Sequence, residues 1–362
     1  MSAVTILKWF GFIQNHNPSF KSTFIAAILQ ISMVVIYLDI FVMYFIATAH
    51  DNLLLKIVVE KLYSISTTMI VMVMLIRRRR ALTSLLNKTY FICHPFSQKM
   101  INTITSCVLI LLFSYGATFL LIYKYGGDDY ALVFFFYKMP LESEMLKHLI
   151  VYSKAFVYFF FYPTFSNLVV LVFCTACHRC SHSLSNLSKE LEKCSSKTFT
   201  VDVQVKYLKC RRRIIKLLEK TQDVFSPIIF LICSASFSCC FAMLGQLIFY
   251  SYKNGGLSFL SDTLFNSLSA LISLISMFWI PGEVPIEMNK FDQAIRKKYE
   301  LRAVSGVISE NSSVERAFFE GQVFVLSACN LIFFTKESVL TVLGTILTYG
   351  LLIISLDLRS FP

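Results

Sequence analysis

Few side chains in this sequence are spaced to do chemistry, and those that are lie in or beside apolar stretches. Cys174-Thr175-Ala176-Cys177-His178 has the C-x-x-C-H spacing of covalent haem attachment, and Cys180 and His182 follow at intervals that suit a metal. Asp39 and Lys154 are ionisable groups inside long apolar runs, where an unpaired charge is costly. Lys154 stands one helical turn from Tyr158 and two from Tyr162, beside Phe156, Phe159, Phe160 and Phe161. An aromatic, partly polar wall of this kind suits a small organic ligand, and it also suits an aromatic belt with ordinary packing. Asp39 is read either as a functional carboxylate or as the partner of a Ser, Tyr or Lys. There is no phosphate-binding glycine loop, nucleophile elbow or zinc-protease helix motif, so no catalytic residue is nominated.

The elements that position these groups follow from composition. The chain has 362 residues, 56% hydrophobic and only 15% charged, against roughly 25% charged in an ordinary soluble protein. That excludes a soluble enzyme, whose surface needs charge, and a disordered chain, which needs polarity. A helix crossing about 30 Å of hydrocarbon needs about 20 apolar residues. Six stretches qualify directly: 23–48, 53–76, 101–123, 149–174, 225–250 and 259–280. The region after 317 reads as two pieces, 317–334 and 338–358, split by Thr335-Lys336-Glu337, and the second is the seventh span. The first apolar run follows a polar stretch and exceeds a signal-peptide core, so it is read as a retained span.

Net charge is +12, and 25 of the 34 Lys and Arg fall on one side if the N-terminus is cytoplasmic. That places the N-terminus inside and the C-terminus outside. Arg77 to Arg80, directly after a span, then anchor the inner face and touch membrane lipid rather than nucleic acid. The sequons at Asn87, Asn186 and Asn311 fall inside, Asn17 is blocked by proline, and none of the eleven Cys lies in an outer loop. The C-x-x-C-H motif also falls inside, whereas haem attaches on the oxidising side. A helix exit with palmitoylation as an alternative therefore outweighs a cofactor, and no cofactor or metal is expected. Amphipathic spacing through 182–222 extends spans four and five as long cytoplasmic helices. The expected fold is all-α: one domain over 1–362, seven transmembrane helices, and a cytoplasmic anchor from 175–224 and 281–334.

The seventh span carries a second pattern. Ser338, Thr341, Thr345, Thr348, Leu352, Ser355 and Arg359 recur at alternating spacings of three and four, one face of a helix. Such a stripe faces water in a pore, or its hydroxyls bond to backbone and neighbouring helices. The pattern alone leaves both open.

The segment Ala328-Cys329-Asn330-Leu331-Ile332-Phe333-Phe334, followed by Thr348-Tyr349 and the apolar run to Ser355, resembles the last span of insect gustatory receptors. Leu7-Lys8-Trp9-Phe10-Gly11 resembles the family's opening, and the seven spans with an inside N-terminus match over the whole chain. Departures are Asn330 for Gly, Ser355 for Gln and Leu356 for Phe. The resemblance implies a ligand-gated, non-selective cation channel of four like or related subunits in the plasma membrane of sensory neurons. It implies a tastant pocket among spans two to six, compatible with Lys154, Tyr158 and Tyr162. It implies a pore lined by Thr341, Thr345, Thr348 and Leu352, with Ser355 and Leu356 at the gate. A G-protein-coupled seven-span receptor is the first alternative, but its usual triplets are missing. A secondary transporter is the second, but no internal repeat is visible.

Overall fold

A computed structural model describes residues 3–9, 11–13, 20–50, 52–90, 96–126, 135–137, 142–195, 198–249, 252–306, 312–319 and 324–360. Cys93, Asn17 and Asn311 lie outside the described residues, as do the side chains of Ser355, Leu356 and Arg359. The molecule is an all-α, multi-pass membrane protein. Its elements are α1 (Ala3–Trp9), α2 (Phe20–His50), α3 (Asn52–Arg77), α4 (Arg79–Tyr90), α5 (Phe96–Gly126) and α6 (Glu144–Phe159). A wide turn, Phe160–Phe165, leads into α7 (Ser166–Lys193). Then follow α8 (Val201–Phe249), α9 (Tyr252–Trp279), α10 (Glu283–Val304), α11 (Ser312–Phe319), a hairpin β1 (Ser327–Ala328) and β2 (Ile332–Phe333), and α12 (Lys336–Ser360).

Five helical segments are long and apolar enough to cross a membrane, by length and composition: Val58–Arg77, Ile101–Tyr125, Glu144–Lys193, Val201–Gly245 and Leu257–Val304. Ala27–Met43 in α2 is a shorter apolar stretch. Their lipid-type surface is plain in α2, where Ile31, Val35, Leu38 and Phe45 are exposed while Met33, Ile36 and Ile40 are buried. Without water to satisfy backbone groups, a helix is the solution these runs must adopt.

Spans four and five do run on as helices well past their apolar cores, as α7 to Lys193 and α8 from Val201. With α10 they build a base around Leu191, Phe199, Phe291, Ile295 and Tyr299. Polar contacts fix it. Lys298 Nζ donates to the carbonyls of Glu192 (3.1 Å) and Cys194 (2.5 Å), capping the end of α7. Arg211 pairs with Asp292 at 3.0 Å, and burial pushes the Asp292 carboxyl up against the lowering pull of Arg211 and Arg296.

The apolar piece 317–334, which the sequence reading puts in the cytoplasmic anchor, precedes α12. Its described residues are the end of α11 and then, from Phe324, a stretch leading into a hairpin whose turn residues Cys329 and Asn330 both have positive φ, 52° and 55°. Leu331 N donates to Ala328 O at 3.0 Å, closing the turn around Cys329 and Asn330, and the strands pair Ala328 with Ile332 across three loop residues. The hairpin docks on α8, where Ser226 Oγ accepts from Cys329 N at 2.7 Å. That is beside Pro227, which lacks the N–H that Asp223 O needs. Arg78 donates to that freed carbonyl, and to Val224 O at 3.1 Å.

Candidate functional site

Ser143 opens α6, its Oγ accepting from Leu146 N at 3.4 Å. Four residues apart on that helix, Lys154 and Tyr158 share a face, as their spacing predicts. Opposite them α2 presents Val35, Ile36 and Asp39. Lys154 Nζ lies 3.0 Å from Asp39 Oδ2, and Tyr158 Oη donates to the same oxygen. The loop residue Tyr137 completes the cluster: its Oη accepts from Lys154 Nζ at 3.1 Å, and its ring centroid lies 4.2 Å from that nitrogen. An apolar medium penalises either charge alone, so pairing is how both are kept. Asp39 thus takes the paired reading, with Lys and Tyr together. Around this cluster lies a cavity of about 590 Å³, walled by α2, α6 and residues 135–137. That is the size range of small-molecule pockets.

Tyr162 does not join them. Its backbone is extended (φ −143°, ψ 122°) because the following Pro163 disfavours helix at the preceding residue. The break turns Tyr162 off the Lys154–Tyr158 face into a second space of about 30 Å³, shared with Glu60, Ser64, Tyr115 and Asn266. That volume holds about one water. Tyr158 borders both spaces. Beside the smaller one is a second ion pair that sequence reading missed: Lys61 Nζ and Asp262 Oδ2, 2.5 Å apart. Asp262 Oδ1 also accepts from Tyr115 Oη (2.6 Å) and Asn266 Nδ2 (2.8 Å). The only signal available was that Lys61 and Asp262 both interrupt apolar runs. Around Tyr162, among spans two to six, these side chains leave only that small space. The larger cavity takes one wall from span one.

The last helix, α12, packs on α8 and α9. Val339 and Val342 are buried, and a Cβ on Gly350 would meet Leu244 Cδ1 at 3.2 Å. Thr341, Thr348 and Leu352 are exposed, and Thr345 is half-buried. The hydroxyls of Thr345 and Thr348 donate at 2.7 Å to the carbonyls of Thr341 and Gly344. The hydroxyls of Thr345 and Thr348 are thus satisfied by their own backbone, and the described residues of this chain leave their face uncovered.

His178 of the C-x-x-C-H motif lies 3.7 Å from Glu283, which also takes Lys336 at 3.3 Å. Cys174, Cys177 and Cys180 are buried in packing. Among the described residues no three His, Cys, Asp or Glu converge on a metal.

No family model matches the sequence, and no characterised protein matches it by sequence. Solved structures do match. The insect olfactory receptor OR5 from Machilis hrabei superposes with a TM-score of 0.67 at 13% identity, over 98% of this chain and 97% of that one. Its complex with eugenol gives 0.67 at 12% identity, over 98% and 96%. The chain has the fold of an insect olfactory receptor. Within the insect receptor fold the Asn330-for-Gly departure falls on the second positive-φ residue of the hairpin turn, a conformation Asn tolerates better than most residues.

Proposed function

We propose that this protein is a chemoreceptor of the insect receptor type, a gustatory one, acting as a ligand-gated, non-selective cation channel subunit. The observation that carries the reading is the near end-to-end likeness to an insect olfactory receptor, seen also in that receptor's complex with eugenol. Seven spans with an inside N-terminus and outside C-terminus fit the charge distribution. Four subunits, like or related, bring their α12 helices around an axis, which gives the uncovered Thr341–Leu352 face water to line. Hydroxyls already bonded to backbone still offer lone pairs to passing cations. Ser355 and Leu356 stand where the resemblance puts the gate. The ligand is a small tastant held at Lys154 and Tyr158, and it opens the channel by binding the open state more tightly. The setting is the plasma membrane of sensory neurons.

The test is expression in a heterologous cell with a tastant panel while cation current is recorded. The expected result is a ligand-evoked, poorly selective inward current that Thr348→Trp abolishes. Currents indifferent to bulky changes at Thr345 and Thr348 would remove α12 from the pore, and a glycosylated N-terminal tag would reverse the topology.

A further inference from the structure

We infer that the cavity between α2 and α6 is the ligand site, and that it takes a small, neutral, largely apolar molecule with one hydroxyl, a phenol or alcohol, rather than a sugar or an ion. The inference rests on the chemoreceptor reading and names the ligand class of that site.

Charge decides the first part. Asp39 and Lys154 are paired at 3.0 Å, so the described residues of the wall carry no net charge to hold an ionic ligand. The polar inventory decides the second. Lys154 and Tyr158 both direct a bond to Asp39 Oδ2, while Asp39 Oδ1 accepts none among the described residues. Tyr137 Oη accepts from Lys154 and keeps its own hydrogen to give. Within this cluster one open acceptor and one open donor sit together, which a single hydroxyl satisfies by donating to Asp39 and accepting from Tyr137; the other hydroxyl on the described wall belongs to the exposed Ser153. Most of the remaining wall is apolar, with Val35, Ile36, Phe135, Phe136, Ile150 and Val157. The many hydroxyls of a sugar find too few partners there, and each one buried unpaired weakens binding. The smaller space on the far side of Tyr158, about 30 Å³, is too tight for such a molecule.

The test uses the full chain in lipid nanodiscs and measures direct binding of three probes: eugenol, its methyl ether and glucose. Eugenol should bind saturably, the methyl ether roughly tenfold more weakly for want of one hydrogen bond, and glucose not at all. Tyr137→Phe, a loop change that leaves the Asp39–Lys154 pair in place, should weaken eugenol to a similar extent. Ile150→Trp, which fills the cavity, should abolish saturable binding, and Ser64→Ala in the other space should not alter it. Size-exclusion profiles check that each variant folds. Competition by glucose, no saturable eugenol binding because lipid chains fill the cavity, or binding that survives Ile150→Trp would each overturn the inference. Eugenol binding without evoked current would leave the ligand class standing and remove the channel reading. Current with binding indifferent to Ile150→Trp would do the reverse.

Discussion

Asp39 and Lys154 are each a cost to an apolar helix and together a fixed point between α2 and α6. Their side chains are 20% and 14% exposed, so neither charge is well solvated. Lys154→Met should therefore lower stability by about 3 kcal/mol, because it strands the Asp39 carboxylate. Asp39→Asn with Lys154→Met removes both charges and should recover most of that loss. Thermal unfolding of the detergent-solubilised variants measures it, and a double variant no better than the single would show that the pair is not the reason. Gly282 shows the same economy in backbone. A Cβ there would lie 2.7 Å from Lys336 N and from Phe278 O, so only glycine lets the junction of α9 and α10 touch the start of α12. Lys336 holds that junction from its side, bonded to Glu283 and lying 4.7 Å from the Trp279 ring centroid. At this scale the sequence showed that Asp39 and Lys154 needed partners. It did not show that they are each other's, because a pairing across two helices leaves no local periodicity.

At the scale of elements, the arginine run after α3 does more than stop a span. Arg78 satisfies the Asp223 carbonyl that Pro227 leaves without an intrahelical donor. Arg78→Met should cost about 1 kcal/mol, because it removes a bond to each of two carbonyls while water still reaches the exposed Asp223. In a Pro227→Ala background, where the new residue supplies the missing N–H, the same change should cost clearly less. A double-mutant cycle by thermal unfolding checks this, and additive losses would sink the account. The helices themselves were largely legible, since 23–48, 53–76, 101–123 and 338–358 fall inside α2, α3, α5 and α12, and the extensions of spans four and five are where amphipathic spacing placed them. Two things were not. The kink at Tyr162-Pro163 broke the assumed face of α6, although a residue before proline is a warning. The 327–333 hairpin read as more helix because its strands are two residues long, too short for alternation to register.

For the whole molecule, α12 is the element that this chain leaves unfinished. Leu340 and Leu347 are 74% and 65% exposed on one side, and the threonine face is open on another. In the proposed assembly these surfaces meet different surroundings, lipid or a neighbouring subunit for the leucines and water for the threonines. Cysteines introduced at Thr341, Thr345 and Thr348 should react quickly with a membrane-impermeant thiol reagent in cells. Those at Leu340 and Leu347 should react slowly, with the exposed Cys107 and Cys329 first replaced by serine. Equal rates on both faces would mean that no aqueous axis runs along α12.

The sequence by itself determined that this is a helical, multi-pass membrane protein, because burying backbone in hydrocarbon needs long apolar helices and little charge. It also singled out Lys154 and Tyr158, since a four-residue spacing survives any rotation of the helix. Only the tertiary structure decided that α2 closes their cavity and that Tyr162 belongs to another. Only the fold decided that Lys61 and Asp262 pair beside the small space that Tyr162 enters. Those outcomes depend on which helices touch and on a backbone break at one proline, and distance in space between remote residues is not written into local spacing.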